Sequence, residues 1–233
     1  ETGGCAPKIA RPDAIECLQA QAGWLLGVRE LSAAGTGEET EAIGLRAAAL
    51  LRAGQADAAR AWIERVAAGI ATNGWVPARF RADGEPLPRP GLEGLHAAQG
   101  QFAFMVMEYH RFTQDTAFLN VMYPRMRLAL AYLENLRAGL EKSEGRLGDA
   151  ERDLVEGLLP LSGARPGSPQ PVHLYADHYW ALLGWKECRA AASVLGLNED
   201  ATWADEQYRL LRAAVRRSLR TRMDQMTGDW VPV

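Results

Sequence analysis

The stretch Gln99-Gly100-Gln101-Phe102-Ala103-Phe104-Met105-Val106-Met107-Glu108-Tyr109-His110-Arg111-Phe112-Thr113 decides the fold. Phe102, Val106, Tyr109 and Thr113 fall on one face at helical period, with Met105 and Phe112 beside them, so residues 97–113 form an amphipathic helix. Residues 115–138 repeat the pattern with Leu119, Met122, Met126, Leu130, Leu133 and Leu136. So short a link between two long helices makes them an antiparallel hairpin, with the apolar residues at 102–112 as core.

The same grammar extends in both directions. Upstream, residues 38–52 carry Ile43, Ala47, Leu50 and Leu51, Gly54 stops the helix, and 56–71 resumes with Ala59, Trp62, Ile63, Val66 and Ile70. Downstream, helices at 175–195 and 200–223 flank the turn Gly196-Leu197-Asn198, and a short helix is expected around 151–157. A further helix is predicted over 12–33, after an arm or linker at 1–11. No strand alternation of useful length appears, so the fold is all-α, with about seven helices in one domain from 12 to 233. Short links alternate with long ones at 73–94 and 139–173, both rich in glycine and proline. Hairpins whose short turns lie at one end and long loops at the other fit an (α/α) toroid-like array, with its ligand at the long-loop end. A solenoid with a fixed repeat of roughly 34 to 45 residues is not seen.

Composition narrows the function. Acids and bases are interspersed and the net charge is −3, which gives no basic footprint for nucleic acid. No run of 18 apolar residues suits a membrane span. Cys5, Cys17 and Cys188 are too few for a disulfide framework and lack zinc spacing, so Cys17 and Cys188 read as small core residues. Thr2-Gly3-Gly4-Cys5 has the shape of a lipoprotein-signal end without the preceding apolar stretch, and reads as an arm. Serine-nucleophile motifs, phosphate-cradling loops and dinucleotide fingerprints are absent, so no cofactor is expected. His173 and Asp177 are four apart, but no third ligand follows at matching spacing, so no metal is expected.

The long links hold the unusual residues. Asn73-Gly74-Trp75-Val76-Pro77 leads towards His96, and Pro171-Val172-His173-Leu174-Tyr175-Ala176-Asp177-His178-Tyr179-Trp180 opens the helix at 175. Aromatic, histidine and carboxylate side chains gathered at one mouth point to a sugar-sized ligand. An aromatic face packs on the apolar face of a pyranose, which suits Trp75, Tyr175 and Trp180, although a Trp also serves as core. Trp62, Trp185 and Trp203 lie mid-helix and read as packing residues. Arg79 either binds hydroxyls or pins its loop.

Gly100 to Thr113, then Phe118-Leu119 and Tyr123-Pro124-Arg125-Met126, resembles the six-hairpin (α/α)6 glycosidase superfamily, of the bacterial glucosidase- and trehalase-like kind. So do Gly157-Leu158-Leu159-Pro160, the run His173 to Leu182, Leu50-Leu51-Arg52-Ala53-Gly54, and Asn73 to Pro77. The resemblance implies binding, and inverting hydrolysis, of an α-linked glucoside or oligosaccharide. It also implies a partial barrel: such toroids need twelve helices, so the remaining hairpins are missing or come from another chain. Two places depart from the pattern: Glu38-Glu39-Thr40-Glu41 stands where relatives carry an Arg-Asp pair, and His96-Ala97-Ala98-Gln99 where they carry an acid.

Inverting hydrolysis needs an acid at the leaving oxygen and a carboxylate roughly 6.5–9.5 Å away that activates water. Asp177, among Tyr175, His178, Tyr179 and Trp180, is the candidate acid, and Glu93 the candidate second carboxylate. An Asp in a first helical turn is equally favoured by the helix dipole, as are Glu38, Glu39 and Glu41 as capping residues. Substrate-binding candidates are Trp75, Arg79, His96, Gln99, Gln101, His173, Tyr175, His178 and Trp180. Two readings compete with hydrolysis: a degenerate toroid that binds saccharide without cleaving it, and a helical module that docks a protein.

Overall fold

A computed structural model describes residues 16–17, 20–21, 23, 37–81, 83–87, 95–143, 154–163 and 172–225, with the side chains of 141–143 excepted. The predicted helix at 12–33 lies outside them except at the few positions named, and Glu93 lies outside them entirely. The described chain is all-α, with six helices: α1 Thr40–Arg52, α2 Ala56–Ala68, α3 Ala97–Thr113, α4 Thr116–Ser143, α5 Tyr175–Val194 and α6 Asn198–Gln225. One small ribbon, not anticipated, pairs β1 Glu38–Glu39 with β2 Arg79–Phe80 antiparallel. Two residues a strand are too few to leave an alternation in the sequence.

Each short turn has a local cause. Gly54 takes a left-handed φ of 75°, and its N–H and that of Gln55 bond the Leu51 and Leu50 carbonyls, closing α1. Between α3 and α4, Gln114 adopts φ 55°, and Asp115 accepts the Phe118 N–H at 2.9 Å, capping α4. Gly196 at φ 72° turns α5 into α6.

The helices form a row with a covering layer. α3 packs between α1 and α5, while α2 and α4 each pack on their own hairpin partner and on the next odd helix. Cross-contacts advance in step along the row: Gln101 with Glu41 and Glu108 with Arg52 on α1, Phe104 with Trp180 and Arg111 with Glu187 on α5. α1, α3 and α5 therefore run parallel. Their N-terminal ends share one end of the array, where the long connections enter, and the short turns lie at the other.

α3 and α5 meet at glycines. A Cβ on Gly100 would strike the Trp180 carbonyl, and one on Gly184 would lie 2.8 Å from the Gly100 Cα. The core runs through the array with Ile43, Ile63, Phe80, Phe102, Met105, Leu130 and Trp185 fully enclosed. Cys188 is buried as expected, whereas Cys17 is exposed. Phe112, expected beside the core face, is 48% exposed, its ring lying under the Arg52 guanidinium. Among the described residues no helix is long and apolar enough to cross a membrane.

Candidate functional site

The N-terminal turns of α3 and α5 bring six of the singled-out residues together: His96, Gln99, His173, Tyr175, Asp177 and His178. Asp177 is fully buried, and its Oδ2 accepts from the Ser162 hydroxyl and, at 3.4 Å, from the His96 main-chain N–H. It thus ties α5 to the entry of α3 and to the strap of residues 158–163. Ser162 carries no sequence pattern that announces this role. The strap is held further by Ser162 N–H to the Val172 carbonyl at 2.8 Å.

His178 is the second anchor. Its Nδ1–H donates to the Leu174 carbonyl at 2.7 Å, and its Nε2 accepts the Leu159 N–H at 3.0 Å. That pair of partners assigns the neutral tautomer with the proton on Nδ1. Burial, opposed by the Leu174 hydrogen bond and reinforced by the nearby His173, His96 and Arg137, pushes the imidazole down to about 4. His173 donates from Nδ1 to the Leu159 carbonyl at 3.0 Å, and burial lowers it too. Tyr175 lies beside His178 with ring centroids 6.2 Å apart, its hydroxyl 2.8 Å from Ser218 Oγ on α6.

His96 and Gln99 differ from these anchors. Both are buried, yet neither ring nitrogen of His96 nor either carboxamide atom of Gln99 has a hydrogen-bond partner in the protein. His96 is lowered by burial, opposed by the Asp177 charge; the Leu161 carbonyl lies near without meeting hydrogen-bond geometry. At 96 and 99 the two side chains share one face of the first turn of α3.

The remaining candidates lie around this cluster. Gln101 donates to Glu41 Oε2 at 3.4 Å. Trp180 packs edge-on against Phe104 at 6.0 Å, within the α3–α5 seam. Arg79 pairs with Glu39 across the β1–β2 ribbon. Trp75 is half-buried, its indole N–H enclosed without a protein partner, in a loop whose Gly74 abuts the Leu128 carbonyl of α4. The acids at the start of α1 do not cap it: Glu39 stands at the cap position without a side-chain cap bond, and Glu38 pairs with Arg46. Glu39 pairs with Arg79, whereas Glu41 stands in the first turn of α1, where the helix dipole favours an acid.

Ser162→Ala tests the anchoring role of Asp177. Deleting the hydroxyl leaves a fully buried carboxylate short of a donor, at an expected cost of about 1–3 kcal/mol. Urea unfolding should show that loss; an unchanged midpoint would mean that the hydroxyl does not hold Asp177. Comparison of the chain with protein-family models, with curated proteins and with solved structures finds no match, so the site is read from its own geometry.

Proposed function

We propose that this chain is a saccharide-binding domain of the helical-hairpin glycosidase type, with its ligand at the end of the array where the connections enter α3 and α5. The observation that carries the proposal is the pairing of His96 and Gln99, side by side, buried, and unpartnered within the protein. A buried donor or acceptor without a partner costs roughly 1–3 kcal/mol. Trp185 carries a single enclosed indole N–H in the same condition, so one orphan alone says little. Two neighbouring side chains that together offer several donors and acceptors are a stronger sign. Hydroxyl groups both donate and accept, and adjacent hydroxyls on a pyranose match such a pair. An α-linked glucoside or oligosaccharide is the class that the family resemblance adds.

Binding without cleavage is favoured over hydrolysis. A general acid has to reach the leaving oxygen, and Asp177 is fully buried with an oxygen engaged by Ser162 and His96. The tyrosines beside it are arranged as packing: Tyr175 and Tyr179 stack at 6.4 Å with Tyr175 held on α6.

Titration calorimetry with maltose, isomaltose, trehalose and methyl α-glucoside tests this, alongside an assay for released glucose. Wild type should bind at least one α-linked sugar and release no glucose. Gln99→Met should weaken that binding roughly 10-fold, the worth of one lost hydrogen bond of about 1.4 kcal/mol. The same variant should unfold at higher urea, because an unpartnered buried amide is replaced by an apolar group of similar size. No binding across the panel would overturn the proposal, and glucose release abolished by Asp177→Asn would restore the hydrolytic reading.

A further inference from the structure

We propose that residues 158–163 form an acid-released latch at the entry to α3, beside His96. Three of the strap's polar ties end on ionisable side chains: His173, His178 and Asp177. Its first residues, Leu158 and Leu159, are buried in the core, while Leu161 is 49% exposed. Its main chain meets His178 through the Leu159 N–H and His173 through the Leu159 carbonyl, each at 3.0 Å. Ser162 bonds the Asp177 carboxylate and bridges to Val172.

These ties respond differently to acid. His173 donates to the strap, and a second proton leaves that donor in place. His178 accepts from the strap, and a second proton converts its Nε2 from acceptor to donor. Two N–H groups would then face one another at the site of the Leu159 bond. His178 cannot turn to avoid this, because its Nδ1–H is already held by the Leu174 carbonyl at 2.7 Å. Protonation therefore requires the Leu159 end of the strap to lift.

The groups that face His178 set the direction. His96 from α3, Arg137 from α4 and His173 from the connection before α5 all disfavour a proton on it. Tyr175 lies against the ring, and the charge of Asp177 is bonded to Ser162. Arg137 itself is fixed by the Gly157 carbonyl at 2.9 Å and by Gln207 of α6 at 3.1 Å, so its charge stays at the base of the strap. With the strap closed, His178 is held near 4, whereas a solvated histidine titrates near 6.5. The closed strap thus binds fewer protons than the open one between those values. Closure has its full strength above about pH 6.5 and loses it as pH falls towards about 4.

Opening separates the Leu161 carbonyl from His96 and frees the Asp177 tie, which exposes His96. If the saccharide proposal holds, on which this consequence rests, ligand enters more readily at pH 5 than at pH 7. The latch itself can be tested without ligand. Hydrogen exchange followed by mass spectrometry, corrected for intrinsic exchange rates, is measured on the whole chain at pH 7 and pH 5. Protection of the strap peptide should fall roughly 20-fold, the ratio implied by the two histidine titrations, while peptides of α3 and α4 keep theirs.

His178→Gln keeps an acceptor for the Leu159 N–H and removes the His178 titration, so its strap should show a much smaller fall, the part left to His173 and His96. As a second measurement on wild type, the imidazole NMR signal of His178 should titrate well below the ordinary histidine range, with strap protection beginning to fall at higher pH than that midpoint. Three results would overturn the latch: strap protection independent of pH, a loss spread evenly through α3, α4 and α5, or a His178 that titrates as an ordinary solvated histidine. The latch failing while sugars bind leaves the saccharide proposal standing. Opening without any sugar binding overturns that proposal alone.

Discussion

Gly100→Ala should destabilise the protein by about 3 kcal/mol, and Gly184→Ala by a similar amount. Glycine inside a helix is ordinarily a weakness, and replacing it by alanine gains about 1 kcal/mol. Here the sign reverses, because the added Cβ has no space. At Gly100 it would collide with the Trp180 carbonyl, which is backbone and cannot swing aside as a side chain does. At Gly184 it would press on the Gly100 Cα at 2.8 Å and on Leu130 Cδ2 at 2.9 Å. α3 and α5 would have to move apart, which loosens the seam and the Asp177 tie above it. Overpacking of a core typically costs 1–3 kcal/mol, and a backbone obstacle puts this case at the upper end. Urea denaturation of both variants gives the answer; a midpoint equal to or above wild type would show that the two helices are not in such close contact.

The second large effect lies at the opposite end of the row. Arg111 bonds Glu108 at 3.3 Å and also Glu187 across the α3–α5 seam, while Arg52 bonds Glu108 at 2.6 Å from α1. The Glu108 and Glu187 side chains are 9% and 4% exposed. Removing the shared arginine leaves two nearly enclosed carboxylates facing each other with Arg52 alone. Arg111 itself is 42% exposed, so water screens part of the loss, and stranding the two enclosed carboxylates costs about 1–3 kcal/mol. Arg111→Met should therefore lose that much stability. The double variant Arg111→Met/Glu187→Gln should recover most of it, since the stranded charge is gone. Equal losses in the single and double variants would mean that the arginine stabilises by packing rather than by charge.

Much of the architecture is legible in the sequence because helical hairpins are local objects. The periodic stretches at 97–113 and 175–195 become α3 and α5 within a residue, and the predicted 115–138 ends early only because its last turns, near Glu141 and Lys142, are polar. Gly54 and Gly196 mark turns for a stated steric reason. The alternation of short and long links also carries over, since parallel odd helices put both long connections at one end. Long-range pairings leave no such trace. Nothing in Arg52, Glu108, Arg111 and Glu187, spread over three helices, announces a network, and a serine in a Gly-Pro-rich stretch gives no hint that it holds Asp177.

The site is legible in outline and not in detail. His96, Gln99, His173, Tyr175, Asp177 and His178 are brought together, but burial and bonding divide them into anchors and unpartnered groups. That division depends on which carbonyls and N–H groups of the strap come near, and spacing along the chain does not encode it. Trp75 and Arg79 show the reverse: residue types suited to sugar contact, held by Gly74 against α4 and by Glu39 on the ribbon.

The most direct measurement is an NMR titration of labelled protein with maltose, following the Gln99 side-chain amide and the His96 ring. The saccharide proposal predicts that both sets of signals shift together and saturate at one ligand concentration, and that Gln99→Met moves saturation at His96 to a roughly 10-fold higher concentration. Signals that stay fixed through the titration, or shifts confined to residues remote from the first turn of α3, would contradict it.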